Sequence, residues 1–194
     1  MDFPEDVPSP ARPTLEGEDT ILFLGRLDWT PNREGLQWFL RFVWPKVISQ
    51  RQKLKLIVAG QGDASWLGEF RSLKGLEFLG QVQDPSDLYL RSILSLVPIF
   101  VGSGTRVKVI EASRFARACL STTIGVEGTG LIPNQSYLNG EGAEDWIHTL
   151  IHLERDPIIA MGRKAFQEVS TRFGARKSAE DFLNLCSFET RKTN

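Results

Sequence analysis

The amino-acid sequence predicts one α/β domain: a parallel sheet covered by helices on both faces. Three observations carry this. Short apolar runs alternate with longer amphipathic runs along most of the 194 residues. The short runs are close to continuous in apolar residues, as strands buried on both faces must be. Three of them stop on a glycine that opens the next crossover. The length suits one domain with a substantial core and is short for two.

The elements follow in order. Residues 1 to 19 hold Pro4, Pro8, Pro10 and Pro13 and are expected to form an extended linker. Thr20 to Leu24 (TILFL) is a strand ending at Gly25. Asn32 to Gln50 carries Leu36, Phe39, Leu40, Val43 and Val47 at helical spacing, with Pro45 expected to kink or end the helix early. Leu54 to Ala59 is a second strand, stopped by Gly60-Gln61-Gly62. Trp66 to Leu73 is a short helix, and Leu76 to Leu79 a third strand stopped by Gly80. Pro85 to Arg91 is helical with Asp84 as N-cap. Ile93 to Ile99 is a fourth strand, Arg106 to Arg117 a helix and Ala118 to Thr122 a fifth strand. Two helices follow, over Ala143 to Leu153 and Pro157 to Leu185, leaving 186–194 as a tail.

Composition narrows the function classes. Apolar residues make up 41% and charged residues 24%, with a formal charge of −1. That balance gives no global basic field for nucleic acid or an anionic membrane. The N-terminal segment is acidic and proline-rich without an apolar stretch, so no secretory leader is expected. No window approaches eighteen apolar residues, and the cytoplasm is the expected compartment. Cys119 and Cys186 match no metal spacing and are expected to be buried or idle thiols rather than a disulfide. His148 and His152 stand at i,i+4 with no third ligand at metal spacing, so no metal site is expected.

Ligands of open parallel sheets sit beyond the carboxyl ends of the strands. This directs attention to Gly25-Arg26, Gly60-Gln61-Gly62, Gly80-Gln81-Val82, Phe100 to Arg106 and Thr122 to Gly130. Glycines there either serve tight strand-to-helix turns or let a ligand approach the backbone. The densest segment is Val101 to Ala112 (VGSGTRVKVIEA). Its Gly/Ser loop opens a helix, whose free N–H groups and dipole make an anion site, and Arg106 and Lys108 add positive charge. Glu111 is four residues from both Val107 and Phe115 and so falls near an apolar face. A carboxylate there needs a partner: Arg114 or Lys108 in an internal salt bridge, or a pair of ligand hydroxyls as on a ribose. Arg26, between the first strand and the next helix, suits a diphosphate or pairs a surface carboxylate.

Taken in order, GRLDWTPNREGLQWF, LIVAGQG, LEFLGQV, VPIFVGSGTRVKVIEA and STTIGVEG resemble the C-terminal domain of group 1 (family 4) glycosyltransferases, over roughly residues 20 to 185. The resemblance implies a Rossmann-like domain, the nucleotide-sugar-binding half of a GT-B enzyme that acts with retention, without a cofactor and usually without an essential metal. By position, Arg26 matches the arginine that contacts the donor diphosphate. Glu111 matches the second glutamate of the E-x7-E motif, expected to hold the ribose hydroxyls. The first glutamate falls on Ser103, so the carboxylate that usually meets the transferred sugar is replaced by a hydroxyl. The usual lysine after the arginine is also absent from Asp28 to Gly35, leaving Arg33 or Lys108 to supply its charge. The backbone of Gly104-Thr105-Arg106 falls by the phosphates, Gln81 and Val82 by the base, and Gly60 and Gly62 at the turn near the nucleotide.

The resemblance thus assigns Arg26, Lys108 and Glu111 to catalysis. It adds Gly25, Gly60, Gly62, Gln81, Val82, Ser103, Gly104, Thr105 and Arg106 to donor binding. The partner it implies is an N-terminal acceptor domain, in cis or in trans, that this chain lacks. The isolated chain is then expected to bind donor weakly and to turn over little. Polysaccharide assembly is the usual setting of the family, with peripheral membrane association of the full enzyme. A non-catalytic nucleotide-binding or partner-docking module is the alternative, favoured by Ser103 and the missing lysine. An epimerase half fits the SGTRVKVIEA segment less well, and no lysine sits in a phosphorylase-like cofactor context. Residues 123 to 142 are expected to be a mobile loop region near the sugar. The five tryptophans are expected to be packing residues, with Trp29 on the cleft side as the exception.

Overall fold

The computed structural model describes residues 19–104 and 106–174. The expected linker up to residue 18, Thr105, Cys186 and the stretch from 175 to the end lie outside the described residues. Six strands form one parallel sheet: β1 (Thr20–Leu24), β2 (Lys55–Ala59), β3 (Leu76–Gly80), β4 (Leu94–Val97), β5 (Ala118–Ser121) and β6 (Leu138–Asn139). Their spatial order is β3-β2-β1-β4-β5-β6. The helices are α1 (Thr30–Trp38), α2 (Trp44–Gln50), α3 (Ser86–Arg91), α4 (Val107–Arg114), α5 (Ala143–Ile151) and α6 (Arg155–Phe173).

Side chains alternate across each strand, so β1 feeds two cores. Ile21 and Phe23 pack with Leu36, Trp44 and Leu150 of α1, α2 and α5. Leu22 turns to the other face and joins Tyr89, Val109 and Val169 of α3, α4 and α6. Continuous apolar strands are the consequence of this two-sided burial. β3, at the sheet edge, leaves Phe78 and Leu79 over a third exposed. Among the described residues, no helix is long and apolar enough to cross a membrane.

Pro45 does not end its helix. The helical path runs from Thr30 to Gln50, with a π-helical turn over Phe39–Val43 between α1 and α2. Trp44 donates its backbone N–H to Phe39 five residues back. The widened turn absorbs the N–H that Pro45 lacks and the crowding of its ring, where a strict α-helical ladder would break. The indole of Trp44, fully buried in the turn that follows, donates to the Lys74 carbonyl at 2.9 Å.

Several boundaries move. The segment from Trp66 is a 3-10 helix over Ser65–Phe70, and α4 stops at Arg114 because Ala116 adopts a positive φ of 52°. The Asp84 carboxylate does accept the Ser86 N–H at 2.9 Å, one residue ahead of the Pro85 N-cap. The segment 123–142 is folded, contrary to the expected loop region. A 3-10 turn over Ile124–Val126 leads to β6, and Thr129, Ser136 and Tyr137 are buried. Polar ties replace an apolar pattern there: Thr129 donates to Val126 O, and Ser136 Oγ accepts the Ile132 N–H at 2.7 Å.

Strand order reverses at β1. The chain builds β2 and β3 on one side of it, then returns to lay β4 on the other. The crossovers leaving β1 and β4 therefore diverge and open a crevice above their carboxyl ends.

Candidate functional site

The crevice at that reversal holds a cavity of about 600 Å³. It is floored by Leu24 and Gly25 at the end of β1, by Val97 and Ile99 at the end of β4 and by Lys108, and walled by Ser103, Gly104 and Glu111 of the loop and helix that follow. A second cavity of about 280 Å³ adjoins it, bounded by Gly60, Gln81, Val82 and Pro85. Leu24, Gly25, Arg26, Gln61 and Glu111 border both.

The strand-end glycines are first a matter of construction. Gly25 donates to Ala59 O at 3.1 Å, Gly60 to Gly80 O at 2.8 Å and Leu27 to Gln61 O at 2.8 Å, so the three loops are laced together. Gly60 has φ 152°, and a Cβ there would collide with the Gly25 carbonyl. Gly25 itself is pressed by Asn32 Nδ2 and Lys108 Nζ, each about 3 Å from where its Cβ would stand. Gly25 lines both cavities and Gly60 the smaller one. Gly62 lines neither and packs on Asp28 instead.

Arg26 borders both cavities, yet its exposed guanidinium grips Asp28 with two bonds, of 3.0 and 2.6 Å. This is the surface-carboxylate alternative realised. The pairing holds the Asp28 carboxyl below its ordinary pKa, through the hydrogen bond first, and raises that of Arg26. Arg106 departs from its expected role in one respect. Its guanidinium is 5% exposed and turned inward, donating to Ile124 O at 2.9 Å and Gly102 O at 3.0 Å, with Glu127 at 3.4 Å. It ties the loops after β4 and β5 together, and its charge is spent on carbonyls while the residue still lines the larger cavity.

Lys108 lies half-buried at the cavity floor. Its ammonium stands 4.4 Å from the centre of the Phe23 ring and donates to Asn32 Oδ1 at 2.6 Å. Burial pushes it down to about 7, against the opposing pull of Cys119 and Glu111. Glu111 is half-buried and its pKa is raised by burial. Neither salt bridge expected for it, with Arg114 or Lys108, forms among the described residues; Tyr89 Oη donates to Glu111 Oε2 at 3.5 Å. Ser103 and Gly104 are exposed at the mouth, and Gln81 and Val82 line the smaller cavity.

Sequence reasoning missed three contributors. Asn32, 3% exposed in the first turn of α1, donates to Arg26 O at 2.8 Å while accepting from Lys108. Tyr89 stacks on Phe115 at 5.0 Å and reaches Glu111 from beneath. Asp28 occupies Arg26. Only Asn32 had a signal, as a polar residue just after Pro31 in a helix first turn on the cleft side. Trp29 does line the larger cavity, 41% exposed, while Trp44 and Trp146 are fully buried packing residues. Cys119 is buried with its thiol pushed up to about 12. His148 and His152 lie ring to ring at 4.4 Å, and among the described residues no group of three or more His, Cys, Asp or Glu could hold a metal ion.

A six-stranded parallel sheet with its crevice at the strand reversal defines a Rossmann-like α/β domain. Residues 18–156 match the family Glycosyl transferases group 1, and the chain belongs to that family. An uncharacterized 44.6 kDa protein in the cps region of Klebsiella pneumoniae is 33% identical over 118 residues, covering 57% of this chain and 30% of that protein. The fold is similar to that of S. aureus TarM (G117R), solved with fondaparinux, alpha-GlcNAc-glycerol and UDP. The TM-score is 0.71 at 16% identity, over 91% of this chain and 37% of that one. It is also similar to the C-terminal domain of a group 1 glycosyl transferase, LpcC, from Francisella tularensis. There the TM-score is 0.66 at 13% identity, over 90% of this chain and 96% of that one. The chain thus spans about a third of the Klebsiella and S. aureus relatives and nearly all of the isolated C-terminal domain. This is the GT-B C-terminal fold expected from the sequence.

Proposed function

We propose that this domain binds the nucleotide-sugar donor of a retaining glycosyltransferase, with a second domain supplying the acceptor. One observation carries the reading: Glu111 and Arg26 stand at the junction of two adjoining cavities at the strand reversal. A nucleoside in the smaller cavity, beside Gln81 and Val82, brings its ribose hydroxyls to Glu111 and its diphosphate to Arg26. The sugar then extends into the larger cavity toward Ser103 and Trp29. Binding of UDP by the structurally similar TarM supports the same reading.

The chemistry follows from where charge develops. As the glycosidic bond breaks, negative charge grows on the departing diphosphate. In this reading Arg26, on leaving Asp28, acts with Lys108 and the N–H groups opening α4 to stabilise it. No general base is required in this domain. Lys108, reaching the floor from α4, takes the place of the family lysine that Asp28 to Gly35 lack.

The test is a calorimetric titration of the chain with UDP, GDP and ADP, beside Glu111→Ala and Arg26→Ala. Binding of one nucleotide that both substitutions weaken is expected. Binding that neither changes would move the site elsewhere. Ser103, a hydroxyl where the family carries a carboxylate, favours a second reading as a nucleotide-binding module without transfer. Transfer of sugar to an acceptor by the chain joined to an acceptor domain would exclude it.

A further inference from the structure

Two cations of the site reach it from different directions, Arg26 on the loop after β1 and Lys108 on α4. Between them, in the first turn of α1, lies Asn32. Its side chain is 3% exposed and spans the gap: Nδ2 donates to the Arg26 carbonyl at 2.8 Å, and Oδ1 accepts from Lys108 Nζ at 2.6 Å. Because one end of an amide can only donate and the other only accept, these two bonds fix its orientation. Gly25 closes the cluster, since a Cβ there would stand within about 3 Å of both Asn32 Nδ2 and Lys108 Nζ. Asn32 is not needed to cap α1, whose N-cap is Trp29 with no side-chain hydrogen bond. A buried amide joining one loop carbonyl to one ammonium, and lining the larger cavity beside both, is a device for holding that ammonium in place.

We infer that Asn32 is the positioning residue of the donor site, holding Lys108 where a diphosphate will meet it and fixing the Arg26 loop to the same point. The inference rests on the donor reading above. An ammonium has three donors. Asn32 takes one and the Phe23 ring covers another side, so Lys108 presents what remains toward the cavity. Without Asn32 the long lysine stem would have no polar anchor on this side, and each binding event would have to order it.

The groups facing Lys108 are Glu111 on its own helix, the Cys119 thiol from β5 and Asn32 from α1, with Arg26 on the same cavity wall. Of these, Asn32 is bonded directly to the ammonium, and Asn32→Asp adds a charge there with little change of shape. Lys108, lowered by burial to about 7, binds an anion when protonated, so affinity is strongest below that pH and falls as pH rises through it. Asn32→Asp puts an opposite charge against the ammonium and moves this fall to higher pH.

The experiment measures Kd for UDP, GDP and ADP from pH 7 to 9, where the terminal phosphate, with its ionisation near ~6, keeps constant charge. The tightest ligand serves as probe. Lys108→Met and Asn32→Ala are each expected to weaken it about tenfold, the loss of a hydrogen bond to a charged group. The double substitution is expected to be weaker than Lys108→Met alone by clearly less than tenfold, the remainder being the hold of Asn32 on the Arg26 loop. In Asn32→Asp, whose shape is kept, the decline with pH should shift upward, and in Lys108→Arg it should vanish. Multiplying losses in the double variant, with an Asn32→Asp profile that superimposes on the parent's, would overturn the inference while leaving the donor site intact. Binding of none of the three nucleotides would remove both.

Discussion

Replacing Glu111 by Gln separates a functional carboxylate from a structural one. The side chain is half-buried, forms no ion pair with Arg114 or Lys108 among the described residues, and receives a 3.5 Å bond from Tyr89 Oη. As the holder of two ribose hydroxyls, it would accept two charge-assisted hydrogen bonds. Such bonds contribute about 1.5–3 kcal/mol against about 0.5–1.5 for neutral ones. Glutamine keeps the shape and one acceptor oxygen, so the loss is the charge assistance, about 1 kcal/mol per bond. Two bonds give about 2 kcal/mol, or roughly thirtyfold in Kd. Stability should move the other way. Burial raises the Glu111 pKa, so the ionised form disfavours the folded state above that pKa. Glu111→Gln should therefore melt at or above the parent's Tm at neutral pH. The difference should fade as pH falls below the unfolded carboxyl pKa of about 4.3, where the parent is protonated in both states. Calorimetric titration and thermal melts at pH 7.5 and 4 read both effects. A variant that melts several degrees lower at pH 7.5 but binds nucleotide unchanged would refute the reasoning and make Glu111 a packing residue.

Three further outcomes follow from the construction of the domain. Gly60→Ala puts a Cβ into the Gly25 carbonyl at φ 152°. Urea unfolding should show a loss of about 2 kcal/mol or more, whereas Gly68→Ala, with open space around it, should change stability by less than about 0.5. Asp19 accepts from both Arg51 and Arg155, joining the entry to β1, the end of α2 and the start of α6. Asp19→Ala should cost about 2 kcal/mol in the same assay without altering nucleotide affinity, because that node lies at the opposite end of the strands. Cys119, fully buried with its thiol pushed up to about 12, should resist alkylation at pH 8 in the native chain and react once urea unfolds it, as peptide mass mapping would show.

The parts of the fold legible in the sequence were those set by apolar continuity. β1, β2, β4 and β5 are runs such as TILFL and KLIVA that nothing but two-sided burial explains. β6 was not legible, because its two residues have no periodicity and are positioned by the polar ties of the 129–139 segment. Pro45 misled because the rule for prolines assumes an α-helical ladder, and the π-turn before it removes that assumption.

At the crevice, glycines after strands pointed to loops that border the two cavities, since close loop packing and ligand approach demand the same residue. Side-chain direction was the illegible part. Arg106 and Lys108 are two residues apart in one basic segment, yet one guanidinium turns inward to carbonyls while the other ammonium stays at the cavity. Asn32 and Tyr89 act across 76 and 22 residues of chain, and only the folded sheet brings them to Lys108 and Glu111.

In the proposed site a donor nucleotide lies across the carboxyl ends of β1 and β4. An amide NMR titration of the chain with UDP, GDP and ADP tests it most directly. One nucleotide should shift the amides of Gly25, Gly60, Gln61, Val82 and Gly104 together and leave those of Asp19 and Lys55, at the opposite strand ends, in place. Shifts confined to another face, or none with any of the three, would contradict it.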